Sequence, residues 1–144
     1  MYTIKEIADI LNMTENSVRY YSDMGLILSL KHNSNGNRIF DEESKNWLIG
    51  IKNLRRSGMS IKLIKEYVDL CLQGDSTVEK RYEIILEQKK QLEEKLKEMN
   101  EQYQYIEKKS KLYMDIINKG IQDISDPSLR NINDSEAEKE KCKD

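Results

Sequence analysis

Near the start of the chain, apolar positions recur at the spacing of an α-helix, with polar residues between them. In residues 4–11 they fall at i, i+3, i+4 and i+7, which places them on one helical face. Thr3 and Glu6 have the spacing of a capping box, a signal for a helix start. Thr14 is a favourable N-cap for a second helix, which a glycine ends. Two short helices joined by a brief turn predict a helix-turn-helix at about 3–24.

After the second helix, the pattern changes to short apolar runs typical of strands. Residues 26–30 and 38–40 form two such runs, and the polar segment between them contains Asn35-Gly36. Asn-Gly favours a tight turn with positive φ. The pattern therefore predicts two strands that form a hairpin, or wing, at about 26–40. With the helices on either side, residues 1–71 are expected to form a winged helix-turn-helix domain.

Helical spacing then resumes and continues through most of the remaining chain. Asp41 and Ser60 are N-cap residues for two further helices, which end near Gly58 and Gly74. Residues 75–119 contain neither Gly nor Pro. At 1.5 Å per residue this segment predicts one helix of roughly 60 Å. The fold class expected from these patterns is mostly α.

The long predicted helix repeats apolar residues and tyrosines in steps of four and three, the heptad pattern of a coiled coil. Ten of its twelve a and d positions fit the pattern. A fully buried apolar side chain contributes ~1.5–3 kcal/mol, so an unpaired helix would leave a large stabilisation unused. We therefore expect a homodimer. The predicted dimer contacts are Val78, Tyr82, Ile85, Leu92, Leu96, Met99, Tyr103, Ile106, Tyr113 and Ile117.

Composition argues against several classes of function. Charged residues make up 35% of the 144-residue chain and apolar residues 38%, with a net charge of −2. With one histidine (His32) and two cysteines (Cys71 and Cys142), we predict no metal site, no cofactor and no enzyme activity. No apolar run approaches the ~18 residues of a membrane helix, so we expect a cytoplasmic protein that does not enter membranes. The polar segment 120–144 is predicted to be disordered.

The second predicted helix carries side chains suited to reading DNA. Val18 faces the stripe of the first helix, so Asn16, Arg19 and Tyr20 point largely outward. Arginine can bind guanine or phosphate through two hydrogen bonds, and tyrosine hydroxyls reach phosphate oxygens. The alternative is a small solvated helix with one chance arginine. The candidate contacts on this helix are Asn16, Ser17, Arg19, Tyr20 and Tyr21.

The predicted wing is positively charged. Lys31, His32 and Arg38 flank its turn with no acidic residue between them. Such a hairpin can lie along the DNA backbone beside the major groove, where lysine and arginine contact phosphates. The alternative is an ordinary hairpin whose charges only improve solubility.

Short motifs follow one another in a fixed order through residues 2–70. They are Tyr2-Thr3-Ile4, Glu6-Ile7-Ala8, Val18-Arg19-Tyr20-Tyr21, Gly25-Leu26, Asn35-Gly36-Asn37-Arg38 and Leu54-Arg55-Arg56-Ser57-Gly58-Met59-Ser60. In this order they resemble the N-terminal domain of the MerR family of bacterial transcription regulators. The chain departs from the family at Asn37, where an aromatic residue is common, and near Ser29, where a proline is common.

The resemblance implies roles for individual residues. In the family, the Arg-Tyr-Tyr helix enters the major groove and the wing arginine holds the flanking backbone. This implies DNA contacts for Arg19, Tyr20, Tyr21 and Arg38, and phosphate contacts for Thr3 and Lys31. It also implies a homodimer on promoter DNA that bends and untwists an over-long spacer in response to a signal. RNA polymerase is then affected indirectly, through the realigned promoter elements.

The signal is not fixed by the resemblance. Residues 74–81 look like the branch that includes aldehyde- and nitrosative-stress regulators, which often places a reactive cysteine in the third helix. This chain has Asn53 at that position, so Cys71 is the candidate redox thiol. Two other functions stay open: a simple repressor without an effector, and a coiled-coil scaffold whose N-terminal domain binds protein. A scaffold would show no salt-dependent affinity for DNA.

Overall fold

The computed structural model describes residues 1–128 and is mostly helical. The predicted fold class is confirmed: a winged helix-turn-helix precedes one long helix. Residues 129–144, most of the predicted disordered tail, lie outside the described residues. The elements are β1 (Tyr2–Thr3), α1 (Ile4–Leu11), α2 (Glu15–Asp23), β2 (Lys31–His32), β3 (Arg38–Phe40), α3 (Glu42–Arg56), α4 (Ile61–Gln73), a 3-10 turn (Asp75–Thr77) and α5 (Val78–Lys119).

The first four helices begin where a side-chain oxygen satisfies a free backbone N–H of the first turn. Thr3, Thr14, Asp41 and Ser60 each accept a hydrogen bond from the backbone of the residue three positions later. The first turn of any helix leaves such N–H groups without intrahelical partners. Between α1 and α2 the chain turns at Asn12, which has a φ of 51°. A short polar side chain tolerates this left-handed conformation.

The wing is part of a three-stranded antiparallel sheet in the order β1-β3-β2. Tyr2 pairs with Phe40, and Lys31 pairs with Ile39. The expected strand at 26–30 is wrong: this segment contains a turn, and the strand begins only at Lys31. The physical reason is that neighbouring Leu26 and Ile27 are both buried, which the alternating sides of a strand would not allow on a sheet with one covered face.

Two adjoining cores explain that arrangement. Ile27 belongs to the first core, between the helix-turn-helix and the sheet, whereas Leu26 belongs to the second, between α3 and α4. Helix α3 contributes to both, through Leu48 and Ile51. The first core consists of Ile7, Ala8, Leu11, Val18, Ile27, Phe40 and Leu48, and the second of Leu26, Ile51, Met59, Ile64 and Val68.

Helix α5 begins directly after the 3-10 turn and has 42 residues, a length of roughly 63 Å. Its start is fixed by Thr77, whose hydroxyl lies 2.6 Å from the Leu70 carbonyl oxygen and 2.9 Å from that of Gly74. These carbonyls belong to the C-terminal end of α4, where intrahelical donors are missing. Thr77 therefore joins the two helices through the turn.

Candidate nucleic-acid interface

Helix α2 presents one polar face to solvent. Val18 and Ser22 are buried, whereas Asn16, Arg19 and Tyr20 are exposed. Arg19 donates from Nη1 to Oδ1 of Asn16 at 3.2 Å. This contact lies within one helical turn, so the guanidinium and amide form a single hydrogen-bonding surface near the start of α2.

The other two candidate contacts on α2, Ser17 and Tyr21, also make contacts within the protein. The Ser17 hydroxyl accepts a hydrogen bond from Thr14 at 2.8 Å, and its backbone N–H donates back to Thr14 at 3.0 Å. Tyr21 is half-buried and packs against both cores. Its ring centroid lies 5.8 Å from that of Tyr20, which is 49% exposed. The structure therefore gives Tyr21 a packing role beside any DNA contact.

A groove lies between the start of α1, the exposed face of α2 and the wing. Its volume is about 460 Å³. It brings together three of the predicted contacts, Thr3, Arg19 and Arg38, although they come from separate parts of the sequence. The groove is lined by Thr3, Ile4, Arg19, Asn33, Gly36, Asn37 and Arg38.

The tip of the wing is held by one asparagine side chain. Oδ1 of Asn33 accepts hydrogen bonds from the backbone N–H groups of Asn35 at 3.0 Å and Asn37 at 2.9 Å. Gly36 between them has a φ of 78°, a conformation that glycine adopts without steric cost. The Asn-Gly sequence thus shapes the edge of the groove.

Arg38 joins the wing to α2. Its Nη1 donates to the Arg19 carbonyl oxygen at 3.3 Å, and its Nη2 pairs with the carboxylate of Asp23. Asp23 is not among the residues that the sequence predicts for this site. A carboxylate in the last turn of a helix is unfavourable beside the negative end of the helix dipole, which is the one sequence signal that Asp23 makes a tertiary contact. The guanidinium has five donors in all.

Lys31 lies on the outer strand of the wing, outside the groove lining. Its ammonium is 3.5 Å from Oδ2 of Asp41, and its side chain is 57% exposed. Asp41 also accepts hydrogen bonds from the backbone N–H of Ser44 and the hydroxyl of Ser29. The Ser44 backbone hydrogen bond is the main cause that lowers the pKa of Asp41 to about 2. The ion pair of Lys31 with Asp41 therefore connects β2 to the start of α3.

The predicted dimer residues on α5 lie at the surface of the chain. Their side chains are between 37% exposed, at Leu92, and 79% exposed, at Ile117. Further apolar side chains on α5 are also exposed, among them Leu86, Tyr105 and Met114. The dimer contacts themselves stay a prediction.

Cys71 is partly buried on α4. Burial raises the pKa of the nearby Tyr67 hydroxyl, and Cys71 adds to this increase while Arg81 opposes it. The role of Cys71 as a redox thiol stays a prediction. Within residues 1–128, no three His, Cys, Asp or Glu side chains are grouped closely enough to hold a metal ion. No helix in the same range has the length and apolar character to span a membrane.

The fold and the groove define a class: a helix-turn-helix protein with a basic wing, the architecture of DNA-binding regulators. Comparison with known proteins specifies the family. The family profile "MerR HTH family regulatory protein" matches residues 2–71, and "MerR, DNA binding" matches residues 46–108. The chain belongs to the MerR family of DNA-binding transcriptional regulators, as the sequence motifs predicted.

Individual relatives agree with this assignment. The HTH-type transcriptional regulator AdhR of Bacillus subtilis is 37% identical over 89 residues, which cover 62% of this chain and 64% of AdhR. A MerR family regulator from Bacillus thuringiensis has a similar structure, with a TM-score of 0.67 and 32% identity over 78% of this chain and 98% of that chain. HiNmlR, described as lacking the sensor domain and bound to promoter DNA, has a TM-score of 0.75 and 27% identity, over 83% of this chain and 90% of that chain.

These relatives are transcriptional regulators, which are not enzymes. The prediction that this chain is not an enzyme is therefore confirmed. The region in which this chain is similar to AdhR covers less than two thirds of the length of AdhR.

Proposed function

We propose that this protein binds promoter DNA as a homodimer and regulates transcription, with α2 in the major groove and the wing on the adjoining backbone. The observation that carries the proposal is the groove in which Thr3, Arg19 and Arg38 meet. One side of this groove is the exposed face of a helix and the other is a basic hairpin. A helix of this kind fits the major groove, and flanking cations bind phosphates.

The groove suggests a division of tasks among its residues. Arg19 and Asn16 are exposed and joined by a hydrogen bond, so they suit contacts with base edges. Tyr20 has an exposed ring, which suits a backbone contact. On the wing, Arg38 retains donors beyond those that bind Asp23 and the Arg19 carbonyl. The further proposed contacts with phosphate are Thr3, Ser17, Tyr21 and Lys31.

The proposed dimer forms through the exposed apolar stripe of α5. Two copies of the chain then present two α2 helices to one operator, whose two-fold symmetry mirrors that of the protein. We further propose that the dimer bends and untwists an over-long promoter spacer in response to a signal, so that RNA polymerase is affected through the DNA. The similarity to HiNmlR, a regulator bound to promoter DNA, supports the DNA-binding part of this proposal.

The substitution Arg19→Ala tests the proposal. We expect the affinity for a selected operator duplex to fall by at least about 5- to 150-fold, the equivalent of ~1–3 kcal/mol for each lost bidentate base contact. Fluorescence anisotropy with a labelled duplex measures this change, and sedimentation equilibrium checks that the dimer is intact.

The matched control is Lys111→Ala, which removes one positive charge from an exposed position on α5. It is expected to leave operator affinity within a factor of about two. If Arg19→Ala binds the operator as tightly as the unmodified protein, α2 is not the recognition helix and the proposal is wrong.

A further inference from the structure

One face at the start of α5 contacts α3, α4 and the residues that follow these two helices. Gln88 is 6% exposed, and Arg81 and Ile84 are partly buried, whereas the other side chains of residues 78–94 are exposed. Together with Thr77 just before the helix, these residues are spaced by four, three and four. That spacing places them on one side of a helix. The predicted dimer stripe starts at Val78, so its positions are shifted by one residue in the sequence from those of this face.

The polar members of this face bind the ends of the two preceding helices. Nη2 of Arg81 donates to the Gly74 carbonyl oxygen at 3.2 Å, just after α4 ends. Nε2 of Gln88 donates to the Ser57 carbonyl oxygen at 2.7 Å, just after α3 ends. Carbonyl groups at helix C-termini lack intrahelical donors. Side chains of α5 therefore cap both α3 and α4, and the positive charge of Arg81 complements the dipole of α4.

The contact made by Gln88 differs in kind from the apolar contact beside it. Ile84 packs against the second core, and apolar burial has no preferred direction. The Gln88 amide makes a short, directional hydrogen bond to a backbone atom. A small rotation or sliding of α5 would break that bond and leave a buried amide without a partner, which is unfavourable.

We propose that Gln88 is a positioning residue that sets the orientation of α5 against α3, and through it the spacing of operator half-sites that the dimer accepts. Helix α3 carries Leu48, which shares the first core with Val18 of the recognition helix. The Ser57 carbonyl that Gln88 binds lies at the end of the same helix. The proposal rests on the proposed function, in which α5 pairs two chains and thereby places two α2 helices on one operator.

The test uses a series of operator duplexes in which the distance between half-sites is changed by one base pair. Each base pair moves a half-site by about 3.4 Å along the DNA and rotates it by about a tenth of a turn. The unmodified protein is expected to prefer one spacing. In Gln88→Leu and Gln88→Met, we expect the ratio of affinities for the best and the altered spacing to fall about 2- to 30-fold. Affinity for an isolated half-site should stay unchanged.

The control is Gln91→Leu, an exposed glutamine on the same helix, which should keep the full preference for one spacing. Thermal unfolding and sedimentation equilibrium show whether each variant folds and forms dimers. The proposal is overturned if Gln88→Leu and Gln88→Met keep the original ratio, or if neither folds, because Gln88 would then serve stability alone. A failure of the proposed function looks different: the unmodified protein would bind none of the duplexes.

Discussion

The N-terminal domain and helix α5 contain the same kind of helical apolar pattern, yet they bury it differently. Ile7 on α1 is 0% exposed because α2 and the sheet cover it, whereas Leu96 on α5 is 68% exposed. The period of the pattern identifies an apolar face. It does not identify what covers that face. In the domain the cover is the same chain, and on α5 we propose that it is a second copy.

Placing charges in the apolar stripe of α5 is expected to have the largest effect. It tests directly whether a second copy of the chain covers this stripe. The double substitution Leu92→Lys and Leu96→Lys should convert the dimer to a monomer. Two such residues in each of two chains contribute roughly 6–12 kcal/mol of gross association free energy, at ~1.5–3 kcal/mol each. Sedimentation equilibrium measures the oligomeric state.

The control for this experiment is Gln91→Lys with Gln104→Lys, which adds the same charge at exposed positions outside the a and d set. It should remain dimeric. A dimer that survives the leucine substitutions would show that the stripe of α5 does not pair two copies.

An intermediate effect is expected from removing one large side chain from the core of the N-terminal domain. Phe40 is 0% exposed and lies where the sheet meets the helix-turn-helix. Phe40→Ala should lower the free energy of unfolding by about 3–5 kcal/mol, as measured by urea denaturation followed by circular dichroism. Leu96→Ala should weaken dimer formation but leave the unfolding of an isolated monomer nearly unchanged. Equal effects of the two substitutions on monomer unfolding would remove the distinction between the two regions.

The smallest effect is expected in acid, at the start of α3. The pKa of the Asp41 carboxyl is lowered from 3.8 to about 2 in the folded state, mainly because the carboxylate accepts the Ser44 backbone hydrogen bond. Its contribution to stability is therefore complete above about pH 4 and is lost as the pH falls towards 2. By contrast, the contact before α5 comes from Thr77, a hydroxyl that does not titrate in this range.

The substitution Asp41→Asn isolates this effect, because asparagine is a comparable N-cap that carries no titrating carboxyl. Urea midpoints at pH 5 and pH 2.5 should show a smaller loss in acid for Asp41→Asn than for the unmodified protein. The pKa values of Glu6 and Glu42 are also lowered, and their contribution cancels in this comparison. Identical acid losses would mean that Asp41 does not contribute.

Much of the fold could be predicted because its signals are local. Helix starts at Thr3 and Asp41 depend on residues within one turn, and the Asn35-Gly36 turn depends on two residues. The strand position could not be predicted, because Leu26 and Ile27 are divided between two cores that exist only in the folded domain. The pairing of β1 with β3 likewise joins segments far apart in the sequence.

In the candidate site, too, some features could be predicted from the sequence and others could not. The exposed face of α2 follows from helical period and from Val18 facing α1. The contact between Arg38 and Asp23 could not be predicted, because it joins the wing to a helix through two charged residues that a hydropathy pattern assigns to solvent. The burial of Gln88 could not be predicted for the same reason, because a polar residue on a highly charged helix carries no sequence signal of burial.

The most direct test of the account is a footprint of the purified protein on DNA upstream of its own gene and on a genomic library, with the stoichiometry of the complex measured by sedimentation. We predict a protected site with two-fold symmetry, bound by two chains and lost in the Leu92→Lys, Leu96→Lys variant. No protection at low salt, or full protection by the monomeric variant, would contradict the claim that α5 brings two recognition helices to one operator.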